Sequence, residues 1–375
     1  MSRISKSFVF VGVPIGILLA ALFAIFTHKF GLGTPSNSVG ASYVSRLSTY
    51  HIPDTLEFCG EGMPLRDEYV RRRMEQAFYI ELSDAQIILD LKRSAVYFPY
   101  IEKKLREMNL PQDLKYLPVA ESALRNLVSY AGAAGIWQFT RATAWRYGLI
   151  VNYNVDERYN FRKATVAALK YLSDLHSVFG NWTTAVAAYN MGQNGMLATV
   201  RYQMTHDYYD LHLNDQTSRF IFRIVAIKQI MSHYRRYGFD LNADEFYPAP
   251  QTKLVDAGSI YNLAAWARQQ GTTYQEVKYL NPWVLRRVLP AGRWTIELPA
   301  SCHPVLLATS IEPGRSDSSG TTTYVVKEGD SLVRIAQRYG LTVNDLTEMN
   351  NLPQGRYLMA GQKLLVPASA SNLGR

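Results

Sequence analysis

Cysteine, histidine and acidic residues are scarce in this 375-residue chain. Its two cysteines, Cys59 and Cys302, are too few for a disulfide scaffold and have no metal-ligand spacing. The seven histidines are scattered along the chain, so neither a metal nor another cofactor is predicted. The two thiols could pair in an oxidising compartment or remain free, and the sequence leaves both possibilities open.

Acidic residues are outnumbered, with 31 Asp and Glu against 40 Lys and Arg, which gives a formal charge of +9. Such a balance favours an anionic partner, which could be nucleic acid, an acidic membrane surface or an acidic cell-wall polymer. No basic run with interleaved aromatic residues is present, and the triplet Arg71–Arg73 fits a solvated helix face. We therefore predict no nucleic-acid partner. The length and a hydrophobic share of 47% allow two or three domains with real cores.

One apolar run lies near the start of the chain. Residues Phe8–Phe26 carry no charge, and their number is about what a helix needs to cross a bilayer. Arg3 and Lys6 precede the run, which places residues 1–7 in the cytoplasm and the rest of the chain in the periplasm or cell-wall space. A cleaved signal peptide is the alternative. An uncleaved single-pass anchor is favoured, because His28 and other large residues follow directly where a cleavage site would need small ones.

Changes in composition divide the remaining chain. Residues Thr34–Gly62 are rich in Gly, Ser, Pro and Thr, so the segment 27–65 is predicted to be a linker or an irregular wrapping segment. Between residues 66 and 247 apolar residues recur at helical spacing, which predicts a helical domain. Within it, Ala164–Val178 and Trp182–Tyr189 are strongly apolar, and Asn181 is placed to cap the second of these helices.

An internal repeat follows the helical region. Residues 248–300 and 323–367 share an order of turn, two helices and a final strand-like run after Ala-Gly. The segment 301–322 between them is rich in Ser and Gly and is predicted to be a flexible linker. Residues 368–375 are predicted to form a loose tail.

A carboxyl group at the end of an apolar segment is the main candidate for chemistry. Glu121 follows Leu117–Ala120, and burial in such surroundings raises the pKa of a glutamate, so that it can act as a general acid near neutrality. A surface glutamate at a helix end is the plainer alternative. Small residues at Ala131–Gly135 follow as a loop, and Trp137 and Gln138 are predicted to begin the next helix.

Three short motifs occur in order in the helical region: Glu121-Ser122, Gly135-Ile136-Trp137-Gln138 and Ala188-Tyr189-Asn190-Met191-Gly192. Together they resemble the motifs of the family 1 lytic transglycosylases, goose-lysozyme-like enzymes that cleave peptidoglycan. The second repeat, from Tyr324 to Pro367, resembles the LysM carbohydrate-binding module. The resemblance implies a mainly α fold, with a lysozyme-like helical transglycosylase (SLT) domain followed by small α+β (βααβ) LysM-type modules.

The LysM resemblance assigns glycan binding to Gly329, Asp330 and Ser331, which open the second repeat, and to Asn350. The first repeat, 248–300, lacks the Gly-Asp-Ser opening and resembles a degenerate LysM module. The partner implied for the whole chain is peptidoglycan, in addition to the membrane that the N-terminal helix would enter. The sequence predicts no particular protein partner.

The resemblance implies that Glu121 is the catalytic residue. It would cleave the bond between N-acetylmuramic acid and N-acetylglucosamine and leave a 1,6-anhydro end. The residues implied to bind substrate are Ser122, Gly135, Trp137, Gln138, Tyr189 and Asn190. From the residues alone, Ser122 could be a helix-end hydroxyl, Gln138 could face solvent and Tyr189 could be a core residue. Trp145 and Trp182 are predicted to be core residues.

Two other functions stay open at this point. A hydrolytic muramidase would cleave the same bond with water, and a catalytically inactive wall-binding scaffold could keep the same fold. The scaffold is considered because Gln216 and Phe220 occupy positions where relatives often carry a glutamate and a tyrosine.

Overall fold

The computed structural model describes residues 49–290, 292–304, 321–350, 352 and 358–367. The predicted anchor at 8–26, residues 27–48 of the first linker, residues 305–320 of the second linker and the 368–375 tail lie outside the described residues. The described residues from 52 onward form one compact unit, and the description below concerns that unit. Within the described ranges, no helix combines the length and apolar character needed to span a membrane.

The part of the chain between residues 57 and 245 is helical, as its apolar spacing predicts. A short antiparallel hairpin of β1 (Glu57–Phe58) and β2 (Glu61–Gly62) comes first. The α-helices that follow are α1 (Glu68–Ser83), α2 (Gln86–Glu107), α3 (Leu117–Ser122), α4 (Arg141–Arg146), α5 (Phe161–Phe179), α6 (Trp182–Met191), α7 (Gln193–Gln203) and α8 (Asp215–Ser232). The 3₁₀ turns are Gln112–Tyr116, Glu157–Tyr159, Tyr234–Tyr237 and Ala243–Glu245.

Helices α6 and α8 lie at the centre of this domain. Helix α8 packs against α1, α3 and α6, and α5 packs against α6. Every residue of α6 from Thr183 to Tyr189 is buried, which explains why its sequence is apolar on all sides. Asn181 accepts a hydrogen bond from the backbone amide of Thr184, so its predicted role as the N-cap is confirmed.

The prediction that a helix begins at Trp137 and Gln138 is wrong. Both residues lie in a turn, and helix α4 begins only at Arg141, where the Thr140 side chain accepts a hydrogen bond from the Thr143 amide. Gln138 has a φ of 49°, which is incompatible with a right-handed helix. Trp137 and Gln138 therefore belong to the loop that precedes α4.

The core assignment of Trp145 is also wrong, since the residue is 56% exposed on the short helix α4. The Arg141 guanidinium lies 5.9 Å from its ring centroid. Trp182 is half-buried and stacks on His176, with ring centroids 4.1 Å apart. Periodicity alone did not distinguish these partly exposed rings from core residues.

The two repeats have the same βααβ architecture, which confirms the predicted fold. The first consists of β3 (Thr252–Ala257), α9 (Leu263–Gln269), α10 (Tyr274–Leu280) and β4 (Trp294–Pro299), and the second of β5 (Thr321–Val325), α11 (Leu332–Arg338), α12 (Val343–Met349) and β6 (Lys363–Pro367). In each repeat the two strands pair antiparallel.

One asparagine in each repeat makes the same bonds. Asn281 donates to the carbonyls of Val277 and Glu297 and accepts from the Glu297 amide. Asn350 does the same with Leu346 and Leu365. In both repeats the asparagine joins the end of the second helix to the last strand.

The first repeat is docked on the helical domain through a short segment before the 3₁₀ turn Glu157–Tyr159. Val155 is fully buried in the apolar core of this repeat. The Asp156 amide donates to the carbonyl of Trp283, and the Leu285 amide donates to the carbonyl of Asn154, both at 2.9 Å. Residues of the helical domain thus complete the core of the repeat.

Cys59 and Cys302 are both free thiols, so the disulfide that the sequence left open is not formed. Burial raises the pKa of the Cys59 thiol strongly, and the nearby Asp113 carboxylate adds to the effect. Cys59 is therefore a protonated, unreactive thiol at neutral pH.

Candidate active site

Glu121 lies at the end of α3, where the helix stops abruptly. The amides of Ala123 and Leu124 bond back to the carbonyls of Val119 and Pro118, and both residues have positive φ, 53° and 55°. For residues with a Cβ this conformation costs roughly 1–2 kcal/mol each. Strain of this kind concentrates at functional sites, where the surrounding structure holds it in place.

The environment of Glu121 raises its pKa, as its apolar neighbours predict. Burial raises the pKa from 4.5 to about 7, against the opposing effects of the Arg223 charge and a hydrogen bond from Asn190. Arg223 is itself held by hydrogen bonds to the carbonyl of Ala120, at 2.8 Å, and to a carboxylate oxygen of Glu81, at 2.9 Å. Near neutral pH the Glu121 carboxyl is therefore present in both protonation states.

The amide of Asn190 is oriented by a threonine behind it. The Thr217 hydroxyl donates to Oδ1 of Asn190 at 3.0 Å and accepts from the side-chain amide nitrogen of Asn214 at the same distance. With Oδ1 engaged in this way, the amide nitrogen of Asn190 is the atom that bonds to Glu121. A donor in this position stabilises the carboxylate form, which agrees with the lowering effect of Asn190 on the pKa of Glu121.

A tight loop follows α3 and is pinned to it. The buried Ser122 hydroxyl donates to the carbonyl of Ile136 at 2.8 Å. Gly135 has a φ of 83°, and a Cβ at this position would lie 2.0 Å from the carbonyl oxygen of Arg158. The Arg158 side chain in turn donates to the carbonyl of Gly132 at 2.8 Å. Only glycine fits at position 135, and the loop is fixed from both sides.

Trp137 and Tyr189 connect this loop to the core. The Trp137 side chain is 0% exposed, and its indole nitrogen donates to the Thr165 hydroxyl at 3.0 Å. The Tyr189 hydroxyl donates to the carbonyl of Trp137 at 2.6 Å. Burial raises the pKa of Tyr189 well above its ordinary value, and the Glu121 charge adds to this, so the tyrosine stays protonated.

Gln138 is engaged within its own loop. Its amide nitrogen donates to the carbonyls of Gly135, at 2.8 Å, and Leu127, at 3.1 Å. Of the residues predicted to bind substrate, Asn190 and Tyr189 lie beside the Glu121 carboxyl. Ser122, Gly135, Trp137 and Gln138 instead hold the loop that follows it.

Of the four residues assigned to glycan binding in the second repeat, Gly329, Asp330 and Ser331 directly precede α11, and Asn350 directly follows α12. Gly329 has a φ of 82°, and the Asp330 carboxylate accepts hydrogen bonds from the Tyr324 hydroxyl at 2.6 Å and the Lys327 amide at 2.8 Å. Ser331 caps α11. These contacts, with those of Asn350 given above, shape the turns of the module.

Sequence reasoning missed three residues that organise the site, Arg223, Thr217 and Arg158. Thr217 lies within the stretch noted for its departures, where Gln216 is exposed and Phe220 is buried in the core. Its position within that stretch was the one signal that the sequence offered. Arg223 and Arg158 act through contacts across the fold, at residues distant in sequence, and no local pattern indicated them.

No group of three or more His, Cys, Asp or Glu side chains in the described ranges is placed to hold a metal ion. The prediction that the site works without a cofactor stays a prediction.

Comparison with protein families confirms the class of domain that the fold and site suggest. Residues 98–211 match the family described as the transglycosylase SLT domain. Residues 324–367 match the LysM domain, and residues 254–301 match the soluble lytic transglycosylase C-terminal LysM-like domain. The chain therefore carries a lysozyme-like SLT domain followed by a LysM-like and a LysM module, hereafter called by those names.

Among individual proteins, the chain is similar to membrane-bound lytic murein transglycosylase D of Escherichia coli. The two are 29% identical over 297 residues, which cover 74% of this chain and 65% of that protein. The chain thus spans somewhat less than two thirds of the length of this relative. It is also 33% identical, over 156 residues, to N-acetylmuramoyl-L-alanine amidase sle1 of Staphylococcus epidermidis, a match that covers 41% of this chain and 43% of the amidase.

Among solved structures, the spore cortex-lytic enzyme SleL of Bacillus cereus is 26% identical and covers 31% of this chain and 22% of its own. Its TM-score is 0.12, so this likeness carries no argument about the fold.

Proposed function

We propose that this protein is a lytic murein transglycosylase. It cleaves the β-1,4 bond between N-acetylmuramic acid and N-acetylglucosamine in peptidoglycan and leaves 1,6-anhydro-N-acetylmuramic acid ends. Support comes from the SLT and LysM matches and from the similarity to lytic murein transglycosylase D.

The observation that carries the proposal is the state of Glu121. Its pKa of about 7 lets the carboxyl be a proton donor and, once ionised, a proton acceptor within the same pH range. Ordinary glycoside hydrolysis needs a second carboxyl group as base or nucleophile. Among the described residues, the groups that shift the pKa of Glu121 by charge or hydrogen bond are Arg223 and Asn190, and neither is a carboxylate. The SLT match and the similarity to lytic murein transglycosylase D support a mechanism with one carboxyl over hydrolysis.

In the proposed reaction, protonated Glu121 gives its proton to the glycosidic oxygen as the bond from that oxygen to C1 of the muramyl sugar breaks. The acetamido group of the substrate stabilises the positive charge that develops at C1. The Glu121 carboxylate, stabilised by Arg223 and Asn190, then takes the proton from the muramyl 6-hydroxyl, whose oxygen bonds to C1. The ring closes without water, and Glu121 is again protonated.

We propose supporting roles for the residues around Glu121. Asn190 holds the carboxylate, and Tyr189, which stays protonated, supports the loop carbonyl beside it. The other predicted substrate-binding residues, Ser122, Gly135, Trp137 and Gln138, act by fixing the backbone of the loop that would face the saccharide.

The domain arrangement is proposed as drawn from the sequence. Residues 66–247 are the catalytic domain with a helical extension, 248–300 the degenerate LysM-like module and 323–367 the LysM module that holds the glycan. Residues 8–26 anchor the chain in the membrane, and the catalytic domain lies in the periplasm or cell-wall space. The similarity to a protein named as membrane-bound supports this anchor.

Digestion of purified murein sacculi tests the reaction directly. The wild-type chain is expected to release fragments that end in 1,6-anhydro-muramic acid, and Glu121→Gln, which cannot donate or accept the proton, is expected to release none. Mass spectrometry of the fragments is the measurement. Reducing-end muramic acid would identify a hydrolytic muramidase instead. Equal, negligible release by both proteins would identify a wall-binding scaffold.

Deletion of residues 322–375 tests the role of the LysM module. We expect weaker sedimentation with insoluble murein and unchanged cleavage of soluble glycan chains. Unchanged sedimentation would refute the assignment of wall binding to this module.

A further inference from the structure

A large cleft lies between the SLT domain and the LysM-like module. Its volume is about 1250 Å³, and Glu121 is not among its lining residues. One wall comes from helices α2 and α5 of the SLT domain, and the other from α10 and β4 of the module. Pockets for single small molecules commonly measure about 300–1000 Å³. The cleft is therefore large enough for a segment of a polymer.

The charge of the cleft is strongly one-sided. Six cationic side chains and one carboxylate, that of Glu297, line it. The cationic residues are Arg93, Arg125, Arg162, Lys163, Lys170 and Lys278. Walls of one sign concentrate ligands of the other sign, so the cleft suits an anionic ligand.

Several of these cations are already neutralised or engaged by the protein. Arg93 pairs with Asp90 at 3.5 Å, Arg162 with Glu297 at 3.0 Å and Lys163 with Glu157 at 2.5 Å, and Lys278 donates to a backbone carbonyl. Arg125 and Lys170 are exposed and form no ion pair within the part of the chain that the structure describes. These two are the charges available to a ligand.

Aromatic rings line the same cleft, among them Tyr97, Tyr279 and Trp283. Such rings offer apolar surface with a polar edge. A cleft lined by both rings and unpaired cations suits a ligand in which carboxylates alternate with apolar groups, as in an acidic peptide.

The cleft begins close to the proposed catalytic residue. Leu124 and Arg125 line it, and Leu124 follows Glu121 by three positions. At 3.8 Å between successive Cα atoms, the Cα atoms of these two residues are at most about 11 Å apart. An extended peptide of four residues spans about 13 Å. A four-residue peptide attached to a sugar at Glu121 is therefore long enough to span this distance.

We infer that this cleft binds the peptide stems of peptidoglycan, with Arg125 and Lys170 pairing with the stem carboxylates. The inference rests on the proposed function, because the stem reaches the cleft from a glycan seated at Glu121. The LysM-like module, whose sequence lacks the Gly-Asp-Ser opening, thereby acts as one wall of a substrate site.

Calorimetric titration with a disaccharide tetrapeptide from murein tests the inference. The 375-residue chain is compared with Arg125→Ala/Lys170→Ala, and with Arg66→Ala, an exposed cation that does not line the cleft. We expect the double variant to bind up to about tenfold more weakly, since two exposed ion pairs are lost. Arg66→Ala should bind like the wild type, and added salt should shrink the difference between wild type and double variant.

The same disaccharide tetrapeptide with its carboxyls amidated is the matched ligand control. It should bind wild type and double variant equally, and both more weakly than the acidic ligand binds wild type. Equal affinity of wild type for the acidic and amidated ligands would overturn the inference, as would a double variant that binds the acidic ligand like the wild type.

These readouts do not need cleavage, so they are separate from the test of the reaction. Charge-dependent binding in a protein that makes no anhydro ends would leave the cleft assignment standing and refute the proposed function. If the protein makes anhydro ends but binds acidic and amidated ligands equally, the proposed function stands and the cleft assignment is refuted.

Discussion

Replacing Glu121 with glutamine should change how the stability of the SLT domain depends on pH. The pKa of Glu121 is about 7 in the folded protein, against 4.5 for an unperturbed glutamate. Because the folded-state pKa is raised, the stabilising contribution of the protonated carboxyl is fully present below pH 4.5. It is lost as the pH rises towards 7, where the folded protein must ionise the half-buried, poorly solvated carboxyl.

A pKa difference of this size corresponds to about 3 kcal/mol, as an order of magnitude. Glutamine resembles the protonated carboxyl in shape and does not titrate. We therefore expect the difference in unfolding free energy, Glu121→Gln minus wild type, to be about 3 kcal/mol more positive at pH 8 than at pH 4.5. Above pH 8 the difference should be constant.

Urea denaturation followed by tryptophan fluorescence measures this difference, because the LysM module, residues 323–367, contains no tryptophan. Glu68→Gln is the control, since the Glu68 side chain is 69% exposed and pairs with Arg72 on the surface of α1. That variant should stay within about 0.5 kcal/mol of the wild type at every pH. If the Glu121→Gln difference did not change between pH 4.5 and 8, the raised pKa of Glu121 on which the proposed mechanism depends would be refuted.

Three further predictions follow from contacts described above. Gly135→Ala should destabilise the SLT domain by about 3 kcal/mol in urea denaturation, since it adds a backbone clash to the cost of positive φ. Gly132→Ala is the control: its φ is similar, but a Cβ there meets open space, so it should cost about 1 kcal/mol. Equal losses of stability in the two variants would contradict the clash. Thr217→Val removes the hydrogen bond that orients the Asn190 amide, so Asn190 stabilises the Glu121 carboxylate less and the pKa of Glu121 rises. The loss of activity at alkaline pH should therefore occur about 0.5–1 pH unit higher. A shift to lower pH would refute the orienting role of Thr217. Asn281→Ala removes three hydrogen bonds to buried backbone and should cost about 3 kcal/mol of LysM-like module stability, measured by hydrogen exchange in β4; unchanged protection would count against it.

Local patterns in the sequence were enough to predict the helical domain and the repeated order of turn, two helices and final strand. The resemblance to LysM implied the βααβ fold of the repeats. Asn181 was identified as a helix cap because its contact lies three residues away, within one turn. The loop at Trp137 and Gln138 was mistaken for a helix because its conformation depends on a carbonyl at Arg158, which no local pattern contains.

The same limit applied to the site. The raised pKa of Glu121 could be predicted from its apolar neighbours in sequence. The lowering effect of Arg223 on that pKa and the orientation of Asn190 by Thr217 could not be predicted, because both residues come from α8, about a hundred positions further along the chain. Contacts of that kind are set by how helices pack, and a single sequence carries no signal for them.

Val155 has a consequence for how the protein unfolds and how its parts can be exchanged. It belongs by position to the SLT domain but fills the interior of the LysM-like module. Separating the two at residue 248, where composition changes, would expose this side chain and leave the module with a void. Cooperative melting should therefore span both the SLT domain and the LysM-like module. The change in composition at residue 248 therefore separates two parts of the chain that share one apolar core.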